Sequence, residues 1–109
     1  DVRLMVEGHG RLDVPTAVKA GLALERFDIC WFEEPIPPGD LKGLADVKRR
    51  INIPVAAGEN EYTRYGFRDL IASGGVDILQ PDANVLGGIT EFRHVASLAS
   101  AWPTKGCAR

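Results

Sequence analysis

Short apolar runs alternate with helix-like stretches along this chain, and this alternation constrains the fold more than any other feature. Apolar residues dominate four short segments, at positions 2–6, 29–32, 54–57 and 76–79. Between and after these segments, apolar residues recur at the spacing of an amphipathic helix. Strands that alternate with helices through short connections run parallel, with right-handed crossovers. The pattern predicts an α/β fold of order β-α-β-α-β-α-β-α, either as a doubly wound sheet or as a section of a (β/α) barrel.

Capping residues predict where the helices begin. Asp13 and Asp40 are expected to cap the first two helices, because their side chains can accept hydrogen bonds from free backbone N–H groups. Thr63 and Thr90 are expected to begin the third and fourth. The apolar stripes predicted to face the core are Val14, Val18 and Leu22; Leu41, Leu44 and Val47; Phe67, Leu70 and Ile71; and Phe92, Val95, Ala96 and Ala99.

Carboxylates stand where successive predicted strands end. Glu7 closes the first strand, Glu33 follows it by 26 residues, and Glu59 follows Glu33 by another 26 residues. Asp82 comes after the fourth strand. Active sites of parallel α/β folds lie at the carboxyl ends of the strands. These acids are therefore predicted to meet at one end of the sheet, although each could instead be solvated or cap the following helix.

Three converging acids repel one another unless a cation lies between them. Ligation by oxygen alone suits a hard divalent ion, Mg²⁺ first and Mn²⁺ second. Glu33 and Glu34 cannot both reach the same ion, because successive side chains of a strand point to opposite faces. The even spacing favours Glu33 as the ligand. Glu34 is expected to point the other way, to pair with a basic group or to cap a helix.

Four motifs give the chain a resemblance to a known family. They are "EGHGR" (7–11), "WFEEP" (31–35), "AAGEN" (56–60) and "DILQPDANVLGGIT" (77–90). In order and spacing they resemble the enolase superfamily, in its mandelate racemase and muconate lactonizing enzyme subgroup. The resemblance implies a partial (β/α)7β barrel of the TIM type, with about four βα units here. It also implies a Mg²⁺ ion held by Glu7, Glu33 and Glu59, although the first position is usually Asp in this family.

The resemblance also implies roles for two further residues. His9 lies two residues past Glu7, and an acid-x-His pattern at this strand end is similar to that of sugar-acid dehydratases, including galactonate dehydratases. There the histidine protonates the departing β-hydroxyl, a role that suits a group titrating near neutral pH. Asp82 matches an aspartate that orients a catalytic histidine from the following strand. His94 falls in the middle of a helix and is assigned no role.

The function predicted from this resemblance is that of a fragment of a Mg²⁺-dependent sugar-acid dehydratase. The reaction would remove the proton α to a carboxylate and then eliminate water, giving a 2-keto-3-deoxy acid. One alternative is a racemase or epimerase of the same superfamily. The other is a non-catalytic barrel remnant or interaction module. Residues 1–101 are expected to be part of the barrel domain, and 102–109 an irregular tail. The chain alone is expected to be inactive, because further acid/base residues would lie on other strands.

Composition and charge exclude several partner classes. The chain has 109 residues, a net charge of −2 and no basic run, so no nucleic-acid partner is predicted. No apolar stretch approaches the ~20 residues that span a bilayer, so no membrane association is predicted. The two cysteines, Cys30 and Cys107, show no metal-like spacing, so a reducing, cytoplasmic setting is the default expectation. The expected partner is a small sugar-acid substrate, with a homo-oligomeric full-length protein.

Overall fold

The computed structural model describes residues 2–102, and the predicted strands and helices alternate as expected, with a short helix and a 3-10 turn that were not predicted. The predicted tail at 102–109 therefore lies outside the described residues, apart from Trp102. The strands are β1 (Val6–Glu7), β2 (Phe32–Glu33), β3 (Val55–Ala57) and β4 (Ile78–Leu79). The helices are α1 (Val14–Leu24), α2 (Leu41–Arg50), α3 (Thr63–Ala72), α4 (Ala83–Leu86) and α5 (Ile89–Ser100), with a 3-10 turn at Glu25–Phe27.

The four strands form one parallel sheet in the order β1-β2-β3-β4. Neighbours in sequence are neighbours in the sheet, which is the arrangement of a barrel section. A doubly wound sheet would reverse the strand order at a switch point. The predicted α/β class is confirmed, and the strand order selects the barrel section over the doubly wound sheet.

The strands are shorter than predicted, although backbone hydrogen bonds also join the residues that precede β1 and β2. The N–H of Cys30 donates to the carbonyl of Leu4 at 2.8 Å, and the N–H of Val6 donates to Trp31 at 3.2 Å. The predicted segment 2–6 lies at the edge of the sheet, where Val2 is exposed. Pairing on one side only leaves this segment partly outside the regular ladder.

The core lies between the sheet and its covering helices. α1 packs on α2, and α3 packs on α5. Backbone and apolar side chains of β3 are buried along its whole length. The largest fully buried side chains are Phe32, Phe67, Leu86, Val47, Val55, Val95 and Pro35. No helix among residues 2–102 is both long enough and apolar enough to cross a membrane.

Most of the predicted helix starts are confirmed. Asp13 accepts a hydrogen bond from the N–H of Thr16 at 2.8 Å, and Asp40 accepts one from Gly43 at 2.9 Å. α3 begins at Thr63 as predicted, but its N-cap is Tyr62 with no side-chain capping bond, and the Thr63 hydroxyl accepts from the N–H of Tyr65 at 3.3 Å within the first turn. These bonds satisfy backbone donors that have no partner inside the helix.

Two predicted core positions are wrong. Leu22 is 51% exposed, and the buried face of α1 carries Ala17, Val18 and Gly21 instead. Steps of four residues drift around a helix of 3.6 residues per turn, so a stripe spaced four apart leaves the core by its third member. Ala96 is exposed on α5 for a related reason, since Val95 is the residue of that turn that faces inward.

Candidate metal centre

Three carboxylates meet at the carboxyl end of the sheet. One side-chain oxygen from each of Glu7, Glu33 and Glu59 lies within 4.8 Å of the others. Glu33 is half-buried, whereas Glu7 and Glu59 are exposed. None of the Lys or Arg ion pairs formed within residues 2–102 involves these three side chains. The cluster therefore concentrates negative charge, and His9 is the basic side chain that lies against it, at Glu7.

Strand pairing places the first two acids side by side. Glu7 and Glu33 are register partners in β1 and β2, and the N–H of Gly8 donates to the carbonyl of Glu33 at 2.8 Å. A side chain at position 8 would come within 2.7 Å of Pro35 Cα, so only glycine permits this approach of the two strand ends.

Glu59 reaches the cluster by a different route. The register partner of Glu33 in β3 is Ala56, so Glu59 lies beyond the end of its strand. Gly58 has φ 126°, a left-handed conformation that turns the chain before the acid. The equal 26-residue spacing therefore does not reflect equal register, and the prediction that Glu59 ends the third strand is wrong by two residues.

Glu33 and Glu34 do point to different environments, as the alternation of strand side chains suggested. The carboxylate of Glu33 joins the cluster and accepts a hydrogen bond from Trp31 Nε1 at 3.1 Å. The side chain of Glu34 is buried and accepts from Asn60 Nδ2 at 3.1 Å. Glu34 thus pairs with a neutral amide. The prediction that it pairs with a basic group or caps a helix is wrong.

His9 lies against the first acid of the cluster. Its Nδ1 donates to Glu7 Oε1 at 2.6 Å. This hydrogen bond, together with the charge of the Glu7 carboxylate, raises the pKa of the exposed His9 imidazole above its ordinary value. A carboxylate has a second oxygen, so the bond to His9 leaves Glu7 able to bind a cation as well. The φ of His9 is 53°, in the left-handed region.

Asp82 borders the same end of the sheet but lies outside the cluster of three. It precedes α4 and accepts a hydrogen bond from the N–H of Asn84 at 2.7 Å, as a helix cap does. It also lines a cleft of about 330 Å³ whose walls include Glu33 and Glu59. Asp82 therefore has a structural contact and an opening toward the candidate site. His94 is exposed in the middle of α5.

Three residues around this site carry no role predicted from the sequence. Trp31 and Gln80 line the cleft, and Asn60 binds the buried Glu34. The side-chain oxygen of Gln80 is buried and has no hydrogen-bond partner among the described residues. Trp31 could have been found, because it lies two residues before Glu33 and so points to the same face of the strand.

The arrangement fits a hard divalent cation. Carboxylate oxygens are the ligands that Mg²⁺ and Mn²⁺ prefer, and two of the three acids remain open to solvent and so to an incoming ion. Ligation would also offset the mutual repulsion of the cluster. The residues present therefore fit a divalent metal ion.

Comparison with known families and sequences gives a consistent result. The sequence profile of the enolase C-terminal domain-like family matches residues 1–108. A 3,6-anhydro-alpha-L-galactonate cycloisomerase from Streptomyces coelicolor is 41% identical over 98 residues, which cover 90% of this chain and 27% of the relative. An L-rhamnonate dehydratase from Saccharopolyspora erythraea is also 41% identical, over 93% of this chain and 26% of that enzyme.

Solved structures agree in fold. A 3,6-anhydro-D-galactonate cycloisomerase from Zobellia galactanivorans superposes with a TM-score of 0.93 at 38% identity, covering 97% of this chain and 30% of that one. An enolase from Bradyrhizobium, complexed with magnesium and mandelic acid, superposes with a TM-score of 0.94 at 38% identity, covering 97% and 29%. The chain thus spans between a quarter and a third of the length of these proteins.

Proposed function

This chain belongs to the enolase C-terminal domain-like family, and from that premise we propose that it supplies the metal-binding strand ends of a Mg²⁺-dependent sugar-acid dehydratase. One observation carries the proposal, namely the convergence of three carboxylate oxygens within 4.8 Å at the carboxyl end of a parallel sheet. The relatives at about 40% identity include sugar-acid dehydratases and cycloisomerases, which supports a carboxylate-bearing substrate.

Glu7, Glu33 and Glu59 would hold the ion. When bound, Mg²⁺ supplies Lewis-acid stabilisation of the negative charge that develops on a substrate carboxylate as its α-proton leaves. The chain's own contribution is to fix three oxygen donors from three segments at one point. Mn²⁺ would bind the same donors, since it shares the preference for oxygen.

His9 is the residue that we assign to proton donation. In the proposed dehydration, the proton α to the carboxylate passes to a base on a strand outside this chain, the electron pair of that C–H bond forms the C=C bond of an enol, and the C–O bond of the β-hydroxyl breaks. The hydroxyl leaves as water after it takes a proton, and the remaining enol rearranges to the 2-keto-3-deoxy acid. An imidazolium beside the Glu7 carboxylate suits that protonation. Within this proposal Asp82 orients a further histidine, whose ring N–H donates a hydrogen bond to the Asp82 oxygen that does not cap α4.

Binding of Mn²⁺ tests the metal site directly. We expect the chain to bind Mn²⁺ in an equilibrium titration, and Glu33→Gln to weaken that binding severely. Glu34→Gln is the matched control, because it changes the adjacent acid, which lies outside the cluster. Equal loss from both substitutions, or no binding by the unsubstituted chain, would contradict the proposal.

A cycloisomerase is the second candidate, favoured by two relatives of that class at 41% identity. Both reactions can begin by removing a proton α to a carboxylate. They differ in mass balance, because a dehydratase releases water and a cycloisomerase returns an isomer. Mass spectrometry of products formed by the longest protein that the gene encodes distinguishes them. Product lighter by one water supports the dehydratase, and product of unchanged mass supports the cycloisomerase.

A further inference from the structure

We propose that Glu34 is a positioning residue, which holds the segments bearing Glu7 and Glu59 against β2 and so sets the geometry of the three-carboxylate cluster. The inference rests on the proposed metal site and deepens it. Its basis is the set of contacts made by a buried acid that no proposed step of the reaction uses.

Burial makes the side chain of Glu34 depend on its partner. It is 6% exposed and is the buried charged side chain of the described core. A buried carboxylate is costly unless hydrogen bonds replace its lost hydration. Asn60 Nδ2 donates to Glu34 Oε2 at 3.1 Å, and Asn60 directly follows Glu59. The bond therefore restrains the residue next to one proposed ligand.

The backbone of Glu34 joins both neighbouring strand ends. Its N–H donates to the carbonyl of Ala56 in β3 at 2.9 Å. Its own carbonyl accepts from the N–H of Gly10 at 2.8 Å, three residues past Glu7. A single residue thus contacts the segment that carries Glu7 and the segment that carries Glu59, while its covalent neighbour is Glu33.

The conformation of Glu34 is one that the surroundings must maintain. Its φ is 34°, in the left-handed region that non-glycine residues seldom adopt. Such conformations persist where neighbouring contacts over-determine them, and they are concentrated at functional sites. Here the side-chain bond to Asn60 and the two backbone bonds supply those contacts. Losing the side-chain bond to Asn60 should make the backbone at Glu34 more mobile, and with it the position of the neighbouring Glu33.

Mn²⁺ affinity separates positioning from a merely structural role. Asn60 is exposed, so Asn60→Ala should leave the fold intact while removing the donor. We expect about a tenfold loss of Mn²⁺ affinity, within the range of about 10 to 100-fold typical for partners of metal ligands. Glu34→Leu should lose at least as much, and Glu34→Gln, which keeps an acceptor oxygen for Asn60, should recover most of the affinity.

Asp77→Ala is the matched control for lost stability. Asp77 accepts from the N–H of Val55 at 3.0 Å. Val55 is the first residue of β3, and the cluster lies beyond the other end of that strand. We expect its unfolding midpoint in urea to fall at least as far as that of Asn60→Ala, with Mn²⁺ affinity unchanged. The same midpoint measured for every variant shows which proteins are folded during the titration.

The outcomes distinguish this inference from the proposed function. If Glu33→Gln abolishes Mn²⁺ binding while Asn60→Ala binds like the unsubstituted chain, positioning by Glu34 is overturned and the metal site stands. If the unsubstituted chain binds no Mn²⁺, both are overturned. If Asp77→Ala weakens binding as much as Asn60→Ala does, the effect is general destabilisation and the inference fails. Should Glu34→Leu not fold, Asn60→Ala still decides the question.

Discussion

The two ends of the parallel sheet treat acidic side chains in opposite ways. At the amino end, Asp77 accepts from the N–H of Val55 and pairs with Lys48 at 3.2 Å. Glu25 at the same end accepts from the backbone and the side-chain amide of Asn52. At the carboxyl end, Glu7, Glu33 and Glu59 point their oxygens at one another. The first arrangement gives each acid its own donor and keeps the acids apart, whereas the second brings three carboxylates together, even though Glu7 also pairs with His9 and Glu33 accepts from Trp31.

This difference separates stability from function within one small sheet. Acids that are paired with donors lower the free energy of the folded chain. Acids that face each other raise it, and they are tolerable where a ligand compensates. Left-handed backbone conformations occur at both ends of the sheet, at His9, Glu34 and Gly58 after the strands and at Asp28 and Gly74 before them. Repulsion between acids, and not backbone conformation, therefore distinguishes the end where barrel enzymes place their chemistry.

The largest expected effect is that of Glu33→Gln on metal affinity. Removing one of three charged ligands should weaken Mn²⁺ binding by more than the roughly 100-fold upper range seen for indirect partners. The stability of the metal-free chain should stay the same or rise, because one repelling charge is gone. Isothermal titration and urea unfolding measure the two quantities. A fall in the free energy of unfolding of the metal-free variant would contradict the proposed contrast between the two ends of the sheet.

Asp77→Ala should give the reverse pattern. It leaves the N–H of Val55 without its side-chain acceptor and Lys48 without its ion pair. An unsatisfied, partly buried donor costs about 1–3 kcal/mol, so the free energy of unfolding should fall by that amount. Mn²⁺ affinity should not change. Lys48→Met is the matched control, since it removes the ion pair and keeps the hydrogen bond, and it should cost about 1 kcal/mol or less.

Glu91 is a paired acid near the carboxyl end of the sheet, so it tests whether the contrast follows pairing or position. It binds Arg64, whose backbone N–H also donates to it at 3.0 Å, and so ties the start of α3 to α5. The hydrogen bonds from Arg64 lower the pKa of Glu91 from 4.5 to about 2. A folded-state pKa below the unfolded value adds stability above about pH 4.5, and that stability is lost as the pH falls toward 2.

Glu91→Gln should therefore be less stable than the unsubstituted chain at pH 6, and the difference should shrink as the pH approaches 3. Urea unfolding at several pH values measures it. The effect should be smaller than that of Asp77→Ala, because Arg64 is 40% exposed. Asp69→Asn is the control for an exposed pair, with Arg68, and should change little. A constant difference across this pH range would mean that the Glu91 charge does not stabilise the fold.

Much of this fold and candidate site was predictable from the sequence. The alternation of apolar runs and capped helices identified four parallel strands in chain order, because each signal is local. The three acids were identifiable from their positions after successive strands. Their convergence could be anticipated, since parallel strands present their carboxyl ends at one edge. Local patterns thus determined the elements and the identity of the clustered residues.

The remaining features depend on contacts between distant segments. The bond from Asn60 to Glu34 joins residues 26 positions apart, and no local pattern reports it. The two-residue offset of Glu59 depends on how Gly58 turns after β3. Exposure of Leu22 depends on where α1 meets Ile51, against which Gly21 packs. Each of these follows from tertiary packing, which spacing along the chain does not encode.

The smallest expected effect, at Asp82, tests the comparison most closely. Asp82 lines the cleft beside Glu33, yet its carboxylate caps α4 as a paired acid would. Asn is as good a cap as Asp, so Asp82→Asn should change the free energy of unfolding by only a few tenths of a kcal/mol, whereas Asp82→Ala should cost about 1 kcal/mol.

Neither substitution at Asp82 should change Mn²⁺ affinity more than about threefold, because water and dissolved ions screen a charge that lies outside the cluster. Urea unfolding and Mn²⁺ titration of both variants measure these effects. A large loss of Mn²⁺ affinity in Asp82→Asn would place this acid among the metal-binding groups. A hydrogen bond to a helix end would then not be enough to separate a paired acid from the metal-binding cluster. Unchanged affinity with a lower stability in Asp82→Ala alone would identify capping as its contribution within this chain.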